Sequence, residues 1–126
     1  MLLAEDHAQT ADRIRKLLRP EFEVIAWVAN GVALVDAAVR FSPDVIVSDI
    51  GMPGVDGIEA AVLIRRQDPD ARIVFLTVHG EPMFVEAGLG AGALGYVLKD
   101  SAGEELIAAI RAAIGGRQYV SRELRR

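Results

Sequence analysis

The sequence has 126 residues, the length of one ordinary domain, and its 14 basic and 18 acidic residues give a formal charge of −4. That balance disfavours a generic nucleic-acid binder, whose non-specific affinity comes from basic side chains facing phosphates. With 52% hydrophobic and 25% charged residues the composition is globular, and the lack of cysteine excludes disulfides, cysteine zinc sites and a thiol nucleophile.

Met1 to Ala4 predicts a short first strand, and the acids Glu5 and Asp6 that follow argue against a signal peptide. Ala8, Ala11, Ile14 and Leu18 repeat at helical spacing, with Arg13, Arg15 and Lys16 largely off that face. Phe22 to Val28 reads as a second strand that ends near Trp27, a core or rim aromatic. Val32, Val35 and Val39 form the apolar stripe of a second helix. The runs Val45-Ile46-Val47, Ile73-Val74-Phe75-Leu76 and Tyr96-Val97-Leu98 suit parallel strands buried on both faces. Between them Ile58, Ala61, Val62 and Arg65-Arg66 mark a third helix, with Asp56-Gly57 as its cap or turn. A fourth helix is expected around Met83 to Leu89. Gly88, Gly90 and Gly92 weaken it, leaving a marginal switch element or a loop as alternatives. Leu106, Ile107, Ile110 and Ile114 line a fifth helix that Gly115-Gly116 ends. The five prolines fall between elements or at a helix start. No apolar run approaches the roughly 18 residues of a membrane span.

The resulting βαβαβαβαβα order predicts an α/β sandwich with right-handed crossovers. The polar end, with Arg117, Arg122, Arg125 and Arg126, reads as a solvated linker in preference to a nucleic-acid arm.

Polar residues follow the strands: Glu5 and Asp6 the first, Asp49 the third, Thr77 the fourth, Lys99 the fifth. In a parallel sheet all of these fall on the carboxyl edge, where ligands of open α/β sheets bind. Three carboxylates in one place repel one another unless a hard cation sits among them, and oxygen donors suit Mg²⁺. A lysine pairs with a phosphoryl oxygen as a point charge, and an aspartate is a competent nucleophile toward phosphorus. Singly, each residue has a plainer role: Asp6 as a helix cap, Asp49 as a turn residue, Thr77 as a strand residue, Lys99 as a surface lysine. His7 and His79 read as polar residues beside this edge rather than as metal ligands.

Four stretches together resemble the receiver domain of bacterial two-component response regulators: Ala4-Glu5-Asp6-His7, Pro43 through Gly57, Leu76-Thr77 and Gly95 through Asp100. The resemblance covers residues 1–118 as a receiver, with 119–126 a linker or tail. It implies a flavodoxin-like (CheY-like) three-layer sandwich with a five-stranded parallel sheet in the order 2-1-3-4-5 and helices on both faces. By position, Asp49 matches the phosphoacceptor, and Glu5 and Asp6 match the acidic pair that holds Mg²⁺ with Asp49. Gly51 matches the residue whose carbonyl completes the metal site. Thr77 and Tyr96 match the switch pair, and Lys99 matches the lysine that contacts the phosphoryl group. Glu5-Asp6-His7, Asn30-Gly31, Thr77-Val78-His79 and Lys99-Asp100 resemble the NarL/FixJ-like subfamily with a LuxR-type helix-turn-helix output domain. That implies a cytoplasmic signalling module, not an enzyme. A sensor histidine kinase would phosphorylate it, dimerisation would follow, and DNA would be reached only through an output domain for which 119–126 has no room. The first strand is shorter than the family's usual one, and Asp100 stands where many members have proline.

Three rivals remain. An aspartyl-phosphate hydrolase would carry a second aspartate at position 51, where this chain has glycine. A flavodoxin-like cofactor binder would need a small-residue phosphate loop after the first strand, where Glu5-Asp6-His7-Ala8 stands. The third is a phosphorylation-independent receiver acting as a protein-interaction module.

Overall fold

A computed structural model describes residues 1–125; Arg126, counted above with the basic tail, lies outside the described residues. The strands are β1 (Leu2–Ala4), β2 (Ala26–Val28), β3 (Ile46–Ser48), β4 (Ile73–Thr77), β5 (Gly95–Leu98) and β6 (Tyr119–Val120). The helices are α1 (Ala8–Leu18), α2 (Gly31–Phe41), α3 (Gly57–Gln67), α4 (Pro82–Gly90) and α5 (Ala102–Ile114). Short 3-10 turns cover Lys99–Ser101 and Arg122–Leu124. All strand pairs are parallel, in the order β2-β1-β3-β4-β5-β6.

Successive strand residues point to opposite faces, so each strand feeds two cores. Leu2, Ala4, Ile46, Phe75 and Tyr96 pack with Leu34 of α2, Ala60 and Ile64 of α3, and partly buried Phe84 and Val85 of α4. Leu3, Val47, Val74, Leu76 and Val97 pack with Ile14 and Leu18 of α1 and with Leu106, Ala109 and Ile110 of α5. This is why the central strands read as unbroken apolar runs: neither face meets water.

The sandwich is the expected one, with one strand more. The backbone after α5 turns at Gly116, whose φ of 74° suits glycine, and returns as β6 along β5. Residues read from sequence as a solvated end therefore lie in the sheet, and Ser121 is fully buried.

Other boundaries also move. Of the expected second strand only Ala26–Val28 pairs, while Phe22 and Val24 pack as loop residues against the α1/α5 core. In α2 the stripe is turned: Val32 and Val39 are 58% and 62% exposed, and Leu34 and Ala37 face the sheet. Gly31 sets this rotation, because the Val55 backbone passes so close that no side chain fits there. In α5 Ala109 and Ala113 are buried and Ile114 is exposed, since small residues let the helix lie close on the strands. The fourth helix forms despite its glycines. A Cβ on Gly88 would stand 3.0 Å from the Tyr96 ring and 3.2 Å from that of Phe75, so glycine lets α4 rest on this edge-to-face aromatic pair. Asp56 caps α3 by accepting from the Glu59 N–H, as read from sequence. None of the described helices is long and apolar enough to cross a membrane.

Candidate functional site

Because the strands are parallel and in register, their C-terminal ends share one edge. Glu5 follows β1, Asp49 follows β3, Thr77 ends β4, and Lys99 follows β5, with Thr77 opposite Leu98. Lys99 draws the edge together: its Nζ lies 2.7 Å from Asp49 Oδ2 and 2.6 Å from Glu5 Oε1. Asp49 Oδ1 accepts from the Ile50 N–H at 2.7 Å, which fixes the plane of the carboxylate. Gly57 opens α3 close against the Asp49 carbonyl, where a side chain would collide, and its N–H donates to Ile50 O at 2.8 Å.

Glu5 is almost wholly buried. Its Oε2 accepts from the His7 N–H at 3.0 Å, and its backbone carbonyl accepts from the Trp27 indole at 2.7 Å. Trp27, read as a core or rim aromatic, thus also anchors the acidic pair, and Arg15 lies over its ring. Asp6 does not cap α1, whose N-cap is His7 with no side-chain cap bond. His7 Nδ1 stands 3.1 Å from Asp6 Oδ1 and 3.2 Å from Glu5 Oε2, and ligand atoms of Glu5, Asp6 and His7 lie within 4.8 Å of one another.

The charge balance is three carboxylates against one ammonium. Glu5 Oε1 and Asp6 Oδ1 are buried without a hydrogen-bond partner; the short Glu5–Lys99 approach is an ion pair lacking hydrogen-bond geometry. Buried oxygens short of donors are what a hard divalent cation relieves, so Glu5, Asp6 and Asp49 fit Mg²⁺. Burial alone would push the Lys99 ammonium down. Its hydrogen bond to Asp49 and its ion pair with Glu5 outweigh that and hold it above the usual lysine range, hence charged.

Of the remaining sequence candidates, Thr77 and Tyr96 sit beside this cluster. The Thr77 hydroxyl is fully buried and accepts from the His79 N–H at 3.3 Å, within its own loop. The Tyr96 ring is buried under α4, and its hydroxyl donates to His79 O at 2.6 Å. Burial, then the carboxylates of Glu81 and Asp49, push that hydroxyl far above the ordinary phenol range, so it remains a donor at any working pH. His79 stacks on Phe84 of α4. It also faces the third strand's loop: a Cβ on Gly51 would stand 3.6 Å from His79 Nε2. The loop after Thr77 is therefore tied to Tyr96, to α4 and to the turn after Asp49.

Sequence reading missed one buried carboxylate. Glu105 of α5 is 3% exposed and accepts from the Tyr119 hydroxyl at 2.8 Å and the Arg122 N–H at 2.9 Å. The spacing of Glu105, Ala109 and Ala112 on one helical face was the available signal.

The family model for the response regulator receiver domain matches residues 1–111. The nitrate/nitrite response regulator protein NarP of Escherichia coli (strain K12) is 37% identical over 123 residues, which cover 96% of this chain and 57% of that protein. The transcriptional regulatory protein DegU of Brevibacillus brevis is 33% identical over 122 residues, 95% of this chain and 52% of that protein. The chain thus spans little more than half the length of these curated relatives. Among solved structures, a two-component response regulator of the LuxR family from Aurantimonas sp. SI85-9A1 superposes with a TM-score of 0.93 at 36% identity, covering 98% of this chain and 89% of that one.

Proposed function

The chain belongs to the response regulator receiver domain family, and from that premise we propose that it is a phosphorylation switch with Asp49 as the acceptor. The observation that carries this reading is the Asp49 carboxylate, oriented by the Ile50 N–H and facing Lys99 at a charge-crowded sheet edge.

In the proposed step an Asp49 oxygen attacks the phosphorus of a phosphohistidine on a sensor kinase. The P–O bond forms as the P–N bond breaks, and the electron pair leaves on the imidazole nitrogen. Lys99, already charged, exchanges its contact with Asp49 for a phosphoryl oxygen. The Thr77 hydroxyl turns from the His79 amide toward the new group, and Tyr96 follows through His79. Glu5, Asp6, Asp49 and the Gly51 carbonyl would hold Mg²⁺. When bound, the ion supplies positive charge for the incoming oxygens. The chain acts as a signalling module rather than an enzyme, in the cytoplasm, where the kinase's phosphohistidine is presented. The proposed output is a homodimer and, through a domain outside this chain, DNA, as the names of its transcriptional relatives suggest.

Intact-mass spectrometry after incubation with acetyl phosphate tests this. One phosphoryl adduct is expected, dependent on Mg²⁺ and absent from Asp49→Ala. A folded chain that gains no adduct and binds no beryllofluoride would be a phosphorylation-independent interaction module instead.

A further inference from the structure

The segment after α5 is fastened at three depths. Tyr119 N–H donates to Leu94 O at 2.8 Å, and Ser121 N–H donates to Tyr96 O at 2.9 Å. The Ser121 hydroxyl, fully buried, accepts from the Leu98 N–H at 3.0 Å, one residue before Lys99. Beyond it Leu124 packs into the α4-side core. Its side chain lies beside both Gly80 and Leu98: a Cβ on Gly80 would meet Leu124 Cδ2 at 3.4 Å and Leu98 Cδ2 at 3.5 Å. From the α5 side, Glu105 accepts from Tyr119 at the start of β6 and from Arg122 at the start of the turn that follows it.

These contacts grip the parts of the molecule that a phosphoryl group on Asp49 would disturb. Lys99 now closes directly on Asp49, and a phosphoryl group cannot fit within that 2.7 Å contact. The Lys99 side chain must withdraw, and the residue it hangs from follows Leu98, whose N–H donates to the Ser121 hydroxyl. On the other side Thr77 holds the His79 amide and Tyr96 holds the His79 carbonyl, one residue before Gly80, beside which Leu124 packs.

We infer that Tyr119–Leu124 is a latch: seated on β5 through Ser121 and clamped by Glu105, it stabilises the unphosphorylated arrangement of Leu98–Lys99 and the His79–Gly80 loop, and phosphorylation of Asp49 loosens it. The inference rests on the proposed role of Asp49. By thermodynamic reciprocity, whatever loosens the latch must favour the phosphorylated state by the same factor.

The test uses the full 126-residue chain with beryllofluoride and Mg²⁺ as the phosphoryl mimic. Hydrogen exchange at the Ser121 amide is expected to quicken about tenfold on binding, a coupling of the ordinary allosteric size. Ser121→Ala, which removes the acceptor for Leu98, is expected to bind beryllofluoride about fivefold more tightly than the parent chain. Tyr119→Phe, which deletes one hydroxyl and keeps the ring, should shift affinity the same way and serves if Ser121→Ala does not fold. Beryllofluoride binding with unchanged or slowed exchange at Ser121, and with equal affinities in the folded variant, overturns the latch and leaves the acceptor reading intact. No binding to the parent chain overturns both.

Discussion

Two buried carboxylate sites flank β5, and they are built on opposite terms. At the carboxyl edge Glu5 and Asp49 share Lys99, Asp6 stands beside them without it, and two buried oxygens lack hydrogen bonds. Under α5, Glu105 accepts from a hydroxyl and a backbone amide. Burial pushes the Glu105 carboxyl up, but donors from Arg122, Tyr119, Ser121 and Ser101 outweigh this and hold it below the usual range. The contrast separates function from structure. A carboxylate whose needs are met inside the chain holds the fold together, whereas a crowded one is left with capacity for a group from outside.

Substitutions can break that contrast. The largest effect is expected from Lys99→Ala, which removes the one cation that contacts Asp49 among the described residues. The rate of labelling by acetyl phosphate should fall about a hundredfold or more, as for loss of a preorganised charge stabiliser. Stability should fall by about 3 kcal/mol, because Glu5 and Asp49 are left buried and unpaired. Intact-mass time courses and urea titration read the two effects. An unchanged rate would remove Lys99 from the proposed step.

Next in size is Glu105→Ala, expected to cost about 1–3 kcal/mol by leaving the Tyr119 hydroxyl and the Arg122 amide without their acceptor. The pH dependence sharpens this. A carboxyl whose folded pKa lies below its unfolded value near 4.5 contributes stability that is present above that pH and fades as pH falls through the folded value. The gap in urea midpoint between the parent and Glu105→Ala should therefore be wide at neutral pH and shrink on acidification. A gap that widens in acid would refute the assignment.

The smallest expected effect has the opposite sign. Asp6→Asn takes one charge from the crowded edge and breaks no contact to a permanent cation. It should raise the melting temperature in Mg²⁺-free buffer by roughly 4 °C, about 1 kcal/mol. The same variant should lose Mg²⁺-dependent labelling. If it melted lower than the parent, the edge would not be charge-strained.

Much of this molecule was legible in the sequence for a local reason. Strand and helix periods differ, so Val45 to Val47 or Ile73 to Leu76 announce buried strands without reference to anything distant. Parallel connectivity then places the residues at the C-terminal end of every strand on one edge, so strand order alone makes Glu5, Asp49, Thr77 and Lys99 a set. Asp56 was readable as a cap because a cap is satisfied within one turn.

What only the tertiary structure decided depends on partners far apart in the chain. Val32, Val35 and Val39 make as regular a stripe as Leu34 and Ala37, yet of the three only Val35 packs against the core. The choice between them rests on the Val55 backbone meeting α2 at Gly31, 24 residues earlier. Tyr119 and Val120 are two apolar residues in a polar end, too few for a strand until the free edge of β5 supplies their hydrogen bonds. Glu105 looks like an ordinary acid in the first turn of a helix until Tyr119 and Arg122 fold back over it. The sequence by itself determined the elements and the edge on which the charges gather, because periodicity and strand direction are local. Helix rotation, the sixth strand and the burial of Glu105 were decided by packing, because their energies exist only once distant segments meet.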